Sequence, residues 1–301
     1  MTLDGIEGSH LLGFMTALGV LRLLDEDAMQ CGARRPTLAF DERYCADLGS
    51  VGDDRSAVVG VVARGLAVRA RFYDGDLSAV NKPADFTPDS FERCARAATG
   101  WKLDALSGLA CGTGDGVAES TLCAANGAGH QELIRSIRDV LALVEPEHMD
   151  AAMFRPWTKS YSVPAEKRKT LGLGTRKPTL RLDPADERLY ALRATNPTLP
   201  SSEYKTELGA QALAIPAFEV LTVCPSRRPM CIASRRGPSR VVFEWTLWTP
   251  PATLATVRSL LALGPRDVEA VRARGAFAAF GVARLTGEKG KLSMTPSYGI
   301  W

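Results

Sequence analysis

The run LLGFMTALGVLRLL, residues 11–24, sets the first condition on the fold. It has the composition of a helix and is apolar around almost its whole circumference, with Arg22 as the main exception. A helix of that kind is buried on all sides rather than laid along a surface. Ser9 stands where a cap would open it, and Asp25, Glu26 and Asp27 lead to a stop at Cys31-Gly32. The chain has the material for such burial. It holds 301 residues, 46% of them hydrophobic, enough for one large or two modest domains.

Patterns further along mix both kinds of element. TLAF (37–40) reads as a short strand followed by polar loop. Asp53 or Asp54 caps a helix over SAVVGVVARGLAV, and VRARFY behind it fits helix or strand equally. Thr87-Pro88-Asp89 supplies a cap, a proline at the first helical position and a first-turn acid, so a helix runs through FERCARAAT. Residues 101–129 are glycine-rich and lack a clear period. QELIRSIRDVLALV gives a helix with Leu133, Ile137, Leu141 and Val144 on one face, ended by Pro146. TLRLD (179–183) reads as a strand, and SRVVFEWTLWT (239–249) more clearly so. Strict alternation in the second puts Trp245 and Trp248 on opposite faces, with Trp245 inside and Trp248 open to base stacking. TLATVRSLLAL and RDVEAVRAR read as helices, and AFAAFGVARLT with KLSMTPSYGIW as a hairpin around GEKG. The sum is an α+β fold of helices and antiparallel strands, the first half more helical, the second carrying strands and basic loops. A division at 153/154 separates an acidic part, 1–153, from a basic α+β part, 154–301; one domain is the alternative.

That division follows the charge. The net charge of +3 conceals 14 Lys/Arg against 23 Asp/Glu in residues 1–150, a net −9, and 23 against 11 in residues 151–301, a net +12. A basic half of this kind suits an anionic partner, nucleic acid first. Seven scattered cysteines with no C-x-x-C spacing suit a reducing cytosol and small core residues. The opening MTLDGIEGSH lacks the basic leader of a signal peptide, and no run is long enough for a membrane span, so the expected location is the cytoplasm.

Catalytic signatures are missing: there is no G-x-x-x-x-G-K-[ST], no H-E-x-x-H and no G-x-S-x-G. The three histidines, His10, His130 and His148, lie at no metal-ligand spacing to cysteine or acid. Gly112, Gly114 and Gly116 form a G-x-G-x-G run without the strand and helix that a phosphate cradle needs. Asp183, Asp186 and Glu187 are read as ion pairs with neighbouring arginines rather than as a magnesium site. No metal, no cofactor and no enzymatic activity are expected.

The candidate binding residues are cations. Lys159, Lys167, Arg168, Lys169, Arg176, Lys177 and Arg181 face a single acid, Glu166, in a loop made pliable by Gly172 and Gly174 and tied at both ends to apolar sequence. Arg227, Arg228, Arg235 and Arg236 form a second cationic stretch, and arginine forks suit phosphates and guanine edges. His130 and Gln131, in NGAGHQ before a helix, supply donors where a helix N-terminus favours an anion; local packing is the plainer alternative.

Four passages together resemble subunits of type I-U (I-G) CRISPR effector complexes. GSHLLGFMTALGVLRLL is similar to that family's PLGFLAALGVLRLL opening, and NGAGHQELIRSIRDVLALV to its glycine–His–Gln turn and helix. LRLDPADERLYALRATNPT followed by GAQALAIPAFEVLTV resembles its LRWDPxxDRRYALR…GANxLAxEALPLFP, and EWTLWTPPATLATVRSLLAL completes the match. The passages cover about half of the chain in the family's order. Gln211 stands in place of an asparagine and Leu189 in place of an arginine, and large subunits of this family are longer than this chain. The resemblance implies a non-enzymatic, large-subunit-like member of a Cascade. Its partners would be crRNA, target DNA, the backbone and crRNA-end subunits, and the helicase–nuclease. Its work would be recognition of the motif beside the target and support of the R-loop. The alternatives are a metal-independent crRNA-processing endoribonuclease using His130, and a scaffold whose basic loops hold an acidic protein.

Overall fold

A computed structural model describes residues 1–113, 116–123, 132–158, 161, 163–174, 178–182, 206–224, 230–236, 241–286 and 292–301. The apolar run forms helix α1, Leu11–Cys31, and every side chain from Leu11 to Asp25 is buried. Its cap is not Ser9, whose hydroxyl is turned to Glu7. His10 takes that place: its Nδ1 accepts from the Gly13 amide at 3.1 Å. The helix also runs on through its three acids to a left-handed Gly32 (φ 65°), the ordinary glycine stop.

Strands and helices close around α1. Strands β1 (Thr2–Glu7), β2 (Thr37–Phe40) and β3 (Cys45–Gly49) make an antiparallel sheet in the order β1-β3-β2. The first and third of these replace what reads in sequence as polar termini and loop. Helix α2, Arg55–Asp74, is capped by Asp54, which accepts from the Ser56 and Ala57 amides. It takes in VRARFY, settling that stretch as helix: Arg69, Phe72 and Tyr73 fall at helical spacing and are all buried. Helix α3, Pro88–Ala97, begins at the Thr87 cap as its sequence predicts. The unperiodic stretch beyond it nevertheless folds, as helix α4 (Trp101–Leu109) and a hairpin of β4 (Ala110–Thr113) and β5 (Gly116–Glu119). Helix α5, Leu133–Leu143, buries Leu133, Ile137 and Leu141. Pro146 both follows that helix and opens the next, α6, Pro146–Phe154.

In the second half a one-and-a-half-turn helix, α7, Ala165–Thr170, sits inside the basic loop. TLRLD is not a strand over its described residues: Leu180 is held by its amide on Gln211 Oε1 (2.9 Å), and Arg181 takes a left-handed φ of 58°. The apolar stretch after it gives α8, Leu208–Leu213, and a 3-10 turn, Ile215–Glu219, every residue buried. Short strands β6 (Val223–Cys224), β7 (Met230–Cys231) and β8 (Ser234–Arg236) precede β9, Val241–Trp248. Helices α9 (Leu254–Leu263) and α10 (Val268–Arg272) then lead to β10, Ala276–Thr286. Strands β11 (Leu292–Met294) and β12 (Tyr298–Gly299) both pair with β10, so the sheet reads β11-β10-β9-β8 with β12 beside β10.

Trp248 is a correction to the expected exposure of one face. Both faces of β9 are covered, every residue from Val242 to Trp248 being buried. Trp248 joins Trp245 in the core at 1% exposure, and its indole donates to the Leu38 carbonyl at 2.7 Å. Phe14 of α1 stacks on Trp245 at 5.4 Å and meets Trp248 edge-on at 6.4 Å, with Phe40 completing the cluster. Helix α1 is also crossed closely by backbone. A Cβ on Gly19 would lie 1.7 Å from the Leu213 carbonyl oxygen, so the approach of α8 requires glycine. One contiguous apolar core runs from Leu3 to Met294, across the 153/154 point. The α+β assignment holds.

Candidate nucleic-acid interface

Two sets of charges divide the molecule, one inside and one out. Arg22, the lone charge of the apolar run, is 8% exposed, and Arg69 and Glu219 are each at 1%. Arg69 grips Glu219 with both arms of its fork, Nε to Oε1 at 2.9 Å and Nη2 to Oε2 at 2.8 Å, and reaches Glu26 at 2.5 Å. Arg22 Nε stands 3.0 Å from the second Glu219 oxygen. Arg258 of α9 ties Asp104 of α4 at 3.1 Å and the Glu219 carbonyl at 3.0 Å. The Trp101 ring lies under the Arg69 guanidinium, 4.3 Å away. Burial pushes the Glu219 carboxyl up, and Arg69 and Arg22 only partly restore it. Burial alone would lower Arg69; hydrogen bonds and charge from Glu219 and Glu26 outweigh it. This network joins α1, α2, α4, the 3-10 turn and α9. A single charge inside each of two apolar stretches, Arg22 and Glu219, was its signal in the sequence, since a buried charge needs a partner.

The outer set is the basic segment. It is pinned from within by Val163, Leu173, Leu180 and Leu182, all buried. It is pinned from the side by Trp157, whose indole donates to the Ala152 carbonyl at 2.8 Å, and by Tyr161, edge-on to His148 at 4.8 Å and bridged through its backbone to Thr206. Between these anchors α7 presents Lys167, Arg168 and Lys169. Lys167 forms an ion pair with Glu145, the residue before α6; the hydrogen bond raises the lysine and lowers the carboxyl. Arg168 donates to the Gly174 carbonyl at 2.8 Å, across a turn in which Gly172 and Gly174 are both left-handed (φ 58° and 54°). Lys169 is exposed, with no ion pair among the described residues. Arg181, half-exposed, closes the segment.

So three cations of the basic half, Arg155, Lys167 and Arg258, neutralise acids of the acidic half among the described residues. Arg235 and Arg236 lie on β8, where the backbone pairs with Val242 and Val241 of β9. Lys159, Arg176, Lys177, Arg227, Arg228, His130 and Gln131 lie outside the described residues, as do Asp183, Asp186 and Glu187. The glycine run straddles the β4–β5 hairpin, with Gly112 opposite Val117 and Gly116 opposite Thr113, and no helix opens there.

Helix α5 brings further cations to the same side. Leu171, just past α7, shares a cleft with Arg135 and Arg138 of α5. Arg138 is spent on structure: Nη1 donates to the Leu77 and Val80 carbonyls, each at 2.9 Å, and Nη2 to Asn81 Oδ1 at 2.5 Å. Arg135 is half-exposed and bonded to Glu132 by Nη1 alone, at 3.1 Å. Neither the family models nor the curated proteins with which the sequence was compared match it.

Proposed function

We propose that this chain is a non-catalytic, large-subunit-like member of a cytoplasmic type I-U (I-G) CRISPR effector complex that grips crRNA and target DNA. The reading rests on the four resembling passages and on where they lie. GSHLLGFMTALGVLRLL is α1, GAQALAIPAFEVLTV is α8 with its 3-10 turn, and EWTLWTPPATLATVRSLLAL is β9 with α9. Passages more than a hundred residues apart in the chain pack on one another. Thr16 Oγ1 reaches the Ala210 carbonyl at 3.2 Å, and Phe14 stacks on Trp245. Motifs that meet in a core describe a shared scaffold, and the exposed α7 turn is what that scaffold presents to phosphates. Interactions of this kind supply affinity with little choice of sequence. Recognition of the motif beside the target, R-loop support and recruitment of the helicase–nuclease follow from the same resemblance.

The test is co-expression with the genomic neighbours, followed by duplex and crRNA binding by the purified assembly. Lys167→Ala/Arg168→Ala/Lys169→Ala should leave the complex assembled, weaken binding, and flatten its salt dependence by about 0.7–0.9 in log–log slope for each phosphate no longer neutralised. Binding identical to the parent at every salt concentration removes α7 from the interface. Recovery without any RNA or CRISPR subunit refutes the assignment.

A further inference from the structure

The cleft beside α7 holds unused recognition groups. It has a volume of about 460 Å³ and is lined by Asp74 at the end of α2, Asn81, Arg135, Asp139, Ala142 and Leu171. Asp74 is exposed, makes no hydrogen bond among the described residues, and is the last residue of α2. A carboxylate there faces the negative end of the helix dipole, where it weakens the helix rather than supporting it. Arg135 uses Nη1 on Glu132 and leaves the Nε–Nη2 edge of its fork without a partner among the described residues. Its backbone is fixed, because the Arg135 amide donates to the Asn81 carbonyl at 3.1 Å. Arg138, three residues further along α5, ties the helix to Leu77, Val80 and Asn81 through the bonds already described. Leu171 leaves an apolar side chain 37% exposed at the mouth.

Carboxylates on two walls make the cleft a poor seat for a phosphate, and the volume is ample for a purine. An exposed carboxylate, whose charge also acts on Arg138, and the open edge of an arginine fork match one base best. Guanine presents two adjacent donors, N1–H and N2–H, and two adjacent acceptors, O6 and N7, which is what an arginine fork reads. We infer that this cleft is a guanine subsite, in which Arg135 takes O6 and N7, Asp74 takes the N1–H and N2–H edge, and Leu171 covers the ring. It rests on the nucleic-acid reading of α7: Leu171 lies two residues past Lys169 in the same turn, so a strand lying on the basic turn passes the cleft mouth.

The test uses the purified full chain and ten-nucleotide strands, oligo(U) and oligo(dT), each with a single central guanine, adenine or no substitution. The guanine strand should bind about 5- to 160-fold more tightly than the other two, the range for one bidentate base contact. Guanine preference in RNA only, DNA only or both supports the subsite and names the strand it serves. Asp74→Asn and Arg135→Lys should each abolish the preference while leaving oligo(U) binding unchanged, with the thermal midpoint held in Arg135→Lys and held or slightly raised in Asp74→Asn. Equal binding of all bases, or a preference that survives both substitutions, overturns the subsite and leaves the basic turn standing. No binding of any strand overturns the nucleic-acid reading and the subsite with it.

Discussion

The buried network around Glu219 and the exposed turn of α7 use the same side chains to opposite ends. Inside, the charges of Arg22 and Arg69 are matched by those of Glu219 and Glu26, and all of these but Glu26 are buried. Outside, Lys167 pairs with Glu145 across the surface, and Lys169 is exposed with no ion pair among the described residues. A positive charge near the core is a device for holding elements in place; only one that outnumbers its acids at the surface can hold something else. Net charge by halves blurs that distinction, because Arg258 counts toward the basic half while serving the interior.

The contrast breaks most visibly at Arg69. Arg69→Met leaves Glu219 and Glu26 short of their main partner in a dry site, and loss of one member of a buried pair costs about 3–5 kcal/mol; urea unfolding reads this directly. A drop below about 1 kcal/mol, the ceiling for exposed pairs, would make the network ornamental. Gly19→Ala tests the same core without touching charge. Its new methyl must displace the α8 backbone, and overpacking of this kind costs about 1–3 kcal/mol.

A smaller effect concerns the joint between core and turn. His148 accepts from the Glu145 amide through Nδ1 at 3.1 Å, and burial holds its pKa below the ordinary 6.5. The unfolded chain therefore binds the proton more readily. The stabilisation is full above pH 6.5 and is lost as pH falls through the depressed folded value. His148→Asn keeps an acceptor without the titration, so its thermal midpoint should fall less between about pH 6.5 and 5 than the parent's. The smallest change in stability belongs to Lys167→Ala, which should leave the midpoint where it is, as exposed ion pairs do. A clear loss of stability there would move α7 from the outer set to the inner one.

The elements with one dominant local signal were legible in the sequence. Thr87-Pro88-Asp89 opens α3, Asp54 caps α2, and the alternation of β9 shows in its residues. What escaped depends on partners distant in the chain. Strands β1 and β3 are specified by each other more than by their own composition. Trp248 is covered by Leu38 and Phe40 of β2, and Leu180 owes its place to Gln211. For the candidate interface, the cationic composition and apolar anchoring of the α7 segment were plain. Its short helix was not, because AEKRKT has no apolar period. Nor was the cleft, since Asp74, Arg135 and Leu171 have no spacing in common.

The enclosure of α1 also bears on how the protein is made. Its covers, α8 and β9, leave the ribosome about 200 residues after it does, which at 5–20 residues per second is roughly 10–40 s. For that interval a helix whose side chains from Leu11 to Asp25 all belong in the core is finished and unprotected. Its yield in a cell should follow the supply of chaperone that meets the nascent N-terminus more closely than the stability of the finished molecule.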